Sequence, residues 1–210
     1  MSGTLFIIAA PSGTGKTTLV RALCTSMANL QVSVSCTTRP QRPGEKHGID
    51  YYFIDNKTFD EMVAQKQFLE HERVFDHYYG TPYQWVNEQL GKGTDVILEI
   101  DWQGARGVRE KMPDKTVSIF ILPPAFATLE QRLKERGQDN AGTIRRRMQD
   151  AVNELSHYRE FDYLVINDDL DRALSELRSI IEYRRRGEQY PPGKLMDFAE
   201  SLMAEAGKIQ

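Results

Sequence analysis

The chain has 210 residues, 40% of them hydrophobic, enough for one α/β domain with small inserted lobes and short for two full domains. Its 27 basic and 30 acidic side chains leave a formal net charge of −3, so no global basic excess points to nucleic acid or an anionic membrane. Cys24 and Cys36 show neither CxxC spacing nor a nearby His pair, which argues against a disulfide framework or a structural zinc site and fits a reducing compartment.

The four histidines (His47, His71, His77 and His157) are scattered and read as solvent-facing or locally bonded. No apolar run approaches the length of a membrane span. The segment "LFIIAA" is too short for a signal peptide and lacks a basic flank. The expectation is a cytoplasmic enzyme or binding protein with no nucleic-acid or membrane partner. A homo-oligomer is compatible with the chain.

In chain order, Leu5–Ala9 predicts the first strand. Leu19, Leu23 and Met27 repeat at helical spacing after it. "QVSVSCTT" alternates, with Val32, Val34 and Cys36 on one side and Ser33 and Ser35 on the other. Residues 37–90 are rich in Tyr, Arg and Gly, with strand-like pieces at Tyr51–Ile54 and Phe68–Val74, and read as an inserted lobe. Val96–Ile100, Val117–Leu122 and Tyr163–Ile166 are near-continuous apolar runs, as parallel strands buried on both faces require. The polar segment 136–143, "RGQDNAGT", reads as a mobile lid.

Ile144, Met148, Ala151, Val152, Leu155 and Tyr158 follow helical spacing, as do Leu170, Leu174, Leu177 and Ile181. "YRRRG" (183–187) reads as a solvated helix end, its basic side chains suited to a helix C-terminus. Beyond the "PPG" breaker at 191–193, Leu195, Phe198 and Leu202 predict a last helix. Strand–helix alternation of this kind predicts a doubly wound parallel sheet.

"APSGTGKT" (10–17) follows the first strand directly. A P-loop works because successive backbone N–H groups curl around phosphate oxygens at a helix N-terminus, whose partial positive charge adds to the attraction. Gly13 and Gly15 permit the curl, Lys16 reaches the β- and γ-phosphates, and Thr17 offers a hydroxyl to Mg²⁺. Ala10, Pro11, Ser12 and Thr14 complete the loop. Ala10 stands where the usual pattern has Gly, and a small residue suffices there if φ stays negative. A GTPase would carry N-K-x-D, and the nearest match, "NKTF" at 56–59, ends in Phe59.

"TTRPQRPGEKHGIDYYF" (37–53) sets Arg39 and Arg42 three residues apart, followed by Glu45 and Tyr51. Two guanidinium groups can fork a doubly charged phosphate, and a tyrosine hydroxyl adds a donor. Alone, the segment reads as an exposed basic loop. Tyr79 in "YYGT", and a P-loop in need of an acceptor, favour a second phosphate site. "VILEID" (96–101) is an apolar strand ending in acids, as a Walker-B strand does. Asp101 is read as holding Mg²⁺ through water or touching a base, in preference to a helix cap.

The motifs "SVSCTTRPQRPGE", "GIDYYF", "FLEHERVFDHYYGT", "ILEIDWQGA" and "VINDDLD" occur in an order and spacing that resemble the guanylate kinases. The resemblance covers nearly the whole chain and is far more specific than the P-loop. It implies a single domain over 1–210: a P-loop core of five parallel strands (1–34, 92–132 and 150–210), a GMP-binding lobe (35–91) and a lid (133–149). It implies transfer of the ATP γ-phosphoryl group to GMP, and to dGMP, with Mg²⁺. It assigns Arg39, Arg42, Tyr51 and Tyr79 to the GMP phosphate, with Glu45 beside them, and Ser35, Glu70 and Thr81 to guanine. Asp101 stands near the base, Glu99 lines the active site, and Asn167 lies near the ATP adenine.

The chemistry of the base supports this assignment. Glu70 can accept from guanine N1–H and N2–H, and Thr81 can donate to O6. Adenine reverses that pattern, and buried hydrogen-bonding sites reject the wrong partner by up to ~10⁴-fold or more.

The lid arginines are Arg132, Arg136, Arg145, Arg146 and Arg147. With Ile144, Met148, Ala151 and Val152 inward, Arg146 points away and is solvated, while Arg145 and Arg147 flank that face. Periodicity does not choose between these two; the resemblance picks Arg147, with Arg136, to clamp the ATP phosphates as lobe and lid close. Lys16, Arg39, Arg42, Arg136 and Arg147 would spread the transferring charge. Two alternatives stand beside this reading: a non-catalytic guanylate-kinase-like interaction module, and a kinase for another nucleoside monophosphate. Intact Lys16 and Thr17 argue against the first, and Glu70 with Thr81 against the second.

Overall fold

The computed structural model describes residues 2–74, 76–135, 141–191, 193 and 195–206. They form a five-stranded sheet in the order β2 (Leu30–Val32), β7 (Asp95–Glu99), β1 (Leu5–Ala9), β8 (Thr116–Leu122), β9 (Tyr163–Ile166), and a four-stranded sheet in the order β4 (Tyr52–Phe53), β3 (Cys36–Thr37), β6 (His77–Pro82), β5 (Phe68–Val74). The chain divides into two compact units, Met1–Phe6 with Asn29–Thr116 and Ile7–Ala28 with Val117–Gln210. The division falls inside β1 (Leu5–Ala9), whose five residues are all buried.

In the first unit, β2 (Leu30–Val32) pairs in parallel with β7 (Asp95–Glu99), with Leu30 opposite Asp95. The four-stranded sheet holds β3 (Cys36–Thr37), β4 (Tyr52–Phe53), β5 (Phe68–Val74) and β6 (His77–Pro82). β3 runs parallel to β4 and antiparallel to β6, and β5 and β6 form an antiparallel pair. A small core of Cys36, Phe59 and Phe68 backs this sheet, flanked by Ile54, Met62, Val63 and Tyr78. Phe59 comes from α2 (Asn56–Ala64), whose N-cap Asp55 accepts from the Thr58 N–H at 2.7 Å. The unit also contains α3 (Tyr83–Gly91) and α4 (Trp102–Lys111), and α4 packs on β5.

In the second unit, α1 (Lys16–Ser26) packs against α7 (Leu170–Arg185). β8 (Thr116–Leu122) pairs in parallel with β9 (Tyr163–Ile166), with Ile119 opposite Tyr163. α5 (Phe126–Glu135), α6 (Ala141–Ser156) and α8 (Met196–Ala206) complete the unit, α6 touching both of the others. The end of α7 behaves as its composition predicts. Arg184 and Arg185 occupy the last turn, Gly187 follows with φ of 75°, and Arg185 donates to the Ala28 carbonyl at 2.8 Å.

Four strands of the five-stranded sheet, β1, β7, β8 and β9, agree with the predicted runs to within a residue, the usual play at element ends. "QVSVSCTT" does not form one alternating strand. β2 ends at Val32 in one sheet and β3 begins at Cys36 in the other, so residues 33–35 carry the chain between sheets. The alternation fails with it, for Ser33 is buried while Val34 is only half-buried. On α7 the inward face is Ala173, Leu177, Ile180 and Ile181, whereas Leu170 opens the helix 43% exposed.

Candidate nucleotide site

The loop after β1 owes its shape to two glycines. Gly13 has φ of 91° and Gly15 of 95°, the left-handed region that side chains resist. Ala10 is absent from the positive-φ residues, which meets the condition under which a small residue replaces glycine there. The buried Thr14 hydroxyl donates to the Pro11 carbonyl at 2.7 Å, and its N–H donates to the same oxygen at 3.1 Å. The Ser12 N–H donates to Glu154 Oε2 at 3.2 Å.

Gly15 is the N-cap of α1 and supplies no side-chain cap, and the first turn holds no acid. The positive end of the helix dipole is therefore not offset locally. Lys16 and Thr17 are its first two residues.

Two side chains from later in the chain hold this loop. Asn167 Nδ2 donates to the Thr14 carbonyl at 2.6 Å, and Arg132 Nη1 donates to the same oxygen at 3.0 Å. Asn167, 6% exposed, hangs directly off β9, its own N–H donating to the Leu122 carbonyl. A cavity of about 410 Å³ opens beside the loop, lined by Gly13, Gly15, Thr18, Arg132, Asn167 and Asp168 among others.

In the first unit, Arg39, Glu45, Tyr51 and Tyr79 come together. Arg39 Nη2 donates to Glu45 Oε1 at 2.7 Å, and the Arg42 N–H donates to Glu45 Oε2 at 2.8 Å. The Arg39 guanidinium carbon lies 5.5 Å from the centre of the Tyr51 ring, whose edge meets Tyr79 at 5.9 Å. Burial alone would raise Glu45, but Arg39 and the Arg42 N–H hold it below the usual carboxylate range. Burial, with Tyr79 and Glu99 adding to it, pushes the Tyr51 hydroxyl up to about 12, so it stays a donor. The Arg42 side chain is exposed.

Glu70 and Thr81 sit opposite each other across β5 and β6, beside an irregularity in the ladder. Thr81 is fully buried and Glu70 is 6% exposed. The Thr81 hydroxyl lies 2.5 Å from Glu70 Oε1 and donates to it. Burial pushes Glu70 up to about 7, and Asp101 and Glu72 add to the rise while Thr81 opposes it. Lys111 Nζ donates to the neighbouring Leu69 carbonyl at 2.5 Å and secures this stretch of β5.

Asp101 is the N-cap of α4, the role ranked second from sequence. Its Oδ1 accepts from the Gly104 N–H at 2.9 Å, and Oδ2 from Gln103 at 3.3 Å. Ser35 lies in the crossing between the sheets, and its carbonyl accepts from the Tyr52 N–H. Glu99 is the last residue of β7.

Of the predicted lid, residues 133–135 finish α5 and 141–149 open α6. Arg136 lies outside the described residues. Arg145 and Arg146 are exposed and Arg147 is half-buried, so burial separates the pair that periodicity left equal.

The guanylate kinase family model matches residues 2–184. A guanylate kinase of Methylococcus capsulatus is 56% identical over 183 residues, covering 87% of this chain and 89% of its own. One from Saccharophagus degradans is 49% identical over 203 residues, covering 97% and 98%. The crystal structure of guanylate kinase from Anaplasma phagocytophilum superposes with a TM-score of 0.75 at 33% identity, covering 87% of this chain and 86% of its own.

The chain belongs to the guanylate kinase family.

Within that guanylate kinase frame, two features escaped the sequence reading. Arg132, expected among the lid arginines, braces the loop carbonyls of Gly13 and Thr14 with its guanidinium. Only its place beside the inward-facing Leu129 and Leu133 hinted at this. Asn167, expected near the adenine, spends one of its two amide hydrogens on the Thr14 carbonyl, a contact between residues 153 apart in sequence that no local pattern carries.

Proposed function

We propose that this guanylate kinase family member transfers the γ-phosphoryl group of ATP to GMP, giving ADP and GDP. The observation that carries the choice of acceptor is the buried Glu70 carboxylate, braced by Thr81. Once ionised, it accepts from guanine N1–H and N2–H, which adenine, cytosine and uracil do not present together. The free chain spends the Thr81 proton on Glu70, so donation to O6 requires that hydroxyl to turn as the base enters. Ser35 completes the base contacts in this reading.

Phosphoryl transfer needs alignment and positive charge more than covalent help. The loop of residues 10–17 cradles the ATP phosphates at the head of α1 through the N–H groups not spent on Pro11 and Glu154, with Lys16 on the transferring group. The cavity beside Asn167 and Arg132 takes the rest of the donor nucleotide. Arg39, Arg42, Tyr51 and Tyr79 hold the GMP phosphate, with Glu45 ordering Arg39 and Glu99 flanking Tyr51. Arg147 and Arg136 complete the clamp on ATP and help exclude water, which would otherwise hydrolyse it. The GMP phosphate is already largely ionised at neutral pH, so no general base is required.

Among the described residues, no group of three or more His, Cys, Asp and Glu side chains is arranged to hold a metal ion. Mg²⁺ keeps its waters and binds mainly through substrate phosphates with one or two protein oxygens. Thr17, in the first turn of α1, is the ligand this reading supplies, with Asp101 as a second through water. When bound, the ion neutralises charge on the β- and γ-phosphates. Cys24 and Cys36 are not joined in a disulfide, which supports a cytoplasmic setting.

The test is ADP formation from ATP with Mg²⁺ and each of GMP, dGMP, AMP, CMP and UMP. GMP, followed by dGMP, is expected to dominate. Equal use of AMP would remove the base assignment, and no turnover with any acceptor would favour the interaction module.

A further inference from the structure

We propose that Gly104 determines base specificity in this site: its missing side chain is the space in which Glu70 presents its carboxylate to guanine. The inference rests on the reading of Glu70 as the group that recognises the base.

Gly104 is the third residue of α4 and is buried. Its backbone does not require glycine. Among the described residues the glycines with positive φ are 13, 15, 44, 48, 93 and 187, and Gly104 is not among them. Its N–H makes an ordinary capping bond to Asp101 that any residue except proline could make. Inside a helix, alanine is favoured over glycine. Local physics therefore points to alanine, and the reason for glycine must lie in its surroundings.

Those surroundings are Glu70. A Cβ at position 104 would stand 2.8 Å from Glu70 Oε2 and 3.3 Å from Glu70 Cδ. Both are well inside the 3.5–4.0 Å of a comfortable contact. Ile100 Cβ, also at 3.3 Å, would need to yield only a few tenths of an ångström. The Glu70 carboxylate is the free end of a flexible side chain held at its other oxygen by Thr81. It is the part that moves, by rotation of its side-chain torsions, while β5 and α4 keep their backbones. The fold would survive and the carboxylate would leave the plane that the two guanine N–H groups need. Gly107, on the same helix, has nothing within 4 Å of its would-be Cβ and serves as the control.

The experiment measures kcat, KM for GMP, KM for ATP, the GMP/AMP preference and the melting temperature for Gly104→Ala, Gly107→Ala, Glu70→Gln and Glu70→Asp, and for Gly104→Ala combined with Glu70→Asp. Gly104→Ala is expected to raise KM for GMP roughly tenfold or more, since displacements near 1 Å carry penalties up to 10²-fold. The GMP/AMP preference should narrow with it, KM for ATP should stay within about twofold, and melting should not fall. Gly107→Ala should match the parent throughout.

If Glu70→Gln raises KM for GMP while Gly104→Ala leaves it unchanged, the inference is overturned and the reading of Glu70 stands. If Glu70→Gln has no effect, the reading itself fails and takes the inference with it. Should Gly104→Ala melt early, the double variant decides. With the shorter aspartate making room, it should melt like Glu70→Asp and show the same KM for GMP, the non-additivity expected of two residues acting at one place. Penalties that multiply, or a melting loss that persists, would show that Gly104 acts elsewhere.

Discussion

Asn167 ties the end of β9 to the glycine-rich loop: its Nδ2 donates to the Thr14 carbonyl at 2.6 Å, and a Cβ on Gly15 would stand 2.6 Å from that same nitrogen. Gly15 thus meets two demands at once, a φ of 95° and room for the Asn167 amide. Asn167→Ala removes one of two donors to a carbonyl that Arg132 still reaches. The expected cost is about 1 kcal/mol of stability, the net worth of one such bond. KM for ATP should rise and KM for GMP should hold, read by thermal melting and steady-state kinetics. An unchanged KM for ATP would show that the tether does not shape the loop.

Lys16 opens α1 where no side-chain cap or acid offsets the helix terminus. Lys16→Ala should lower turnover ~10²-fold or more, as losing one preorganised transition-state donor does. Folding and GMP affinity should be retained. Near-normal turnover would remove Lys16 from its role.

Glu45 braces the Arg39 guanidinium on one oxygen and the Arg42 N–H on the other, with its side chain only 20% exposed and that of Arg39 9% exposed. Glu45→Gln should cost about 1.5–3 kcal/mol, the range for hydrogen bonds to charged groups. With Arg39 no longer oriented, KM for GMP should rise about tenfold, equivalent to about 1.4 kcal/mol. A lower KM would instead mark Glu45 as a competitor of the phosphate for Arg39.

Glu70 titrates in the folded chain near 7 rather than at its ordinary 4.5, chiefly through burial. Between those values the folded state keeps a proton that the unfolded state has lost. The stability this group contributes is therefore greatest at low pH and falls as pH rises from about 4.5 to about 7. Glu70→Gln should flatten that part of a melting-against-pH curve. A wild-type curve as flat as the variant's would contradict the burial argument.

Guanine needs the ionised carboxylate, so KM for GMP should fall as pH rises through about 7. The second ionisation of a phosphate monoester, near 6, overlaps this change. The same profile on Glu70→Gln isolates the carboxylate's share, and identical profiles would remove Glu70 from base recognition.

Much of the architecture was legible because its signals are local. Leu5–Ala9 and Tyr163–Ile166 are apolar over their whole length, as doubly covered strands must be, and both appear at the predicted residues. Gly13 and Gly15 are glycines because of backbone torsions, so spacing alone reveals their conformation. "QVSVSCTT" misled because alternation records only that neighbours differ. It does not record that the chain leaves one sheet at Val32 and joins another at Cys36. An acid at a strand end such as Asp101 suits a ligand and a cap alike, and only the position of the Gly104 N–H shows that it caps α4.

The sequence by itself determined the apolar strands β1, β7, β8 and β9, the loop at the head of α1 and the set of polar residues available for chemistry. Each of these depends on residues adjacent in the chain or one helical turn apart. Only the tertiary structure decided which of those residues meet. It joined Asn167 and Arg132 to Thr14, Glu45 to Arg39, and Glu70 to both Thr81 and the empty side of Gly104. Hydrogen bonds and steric exclusion act over a few ångströms of space regardless of separation along the chain, so no periodicity or spacing records them.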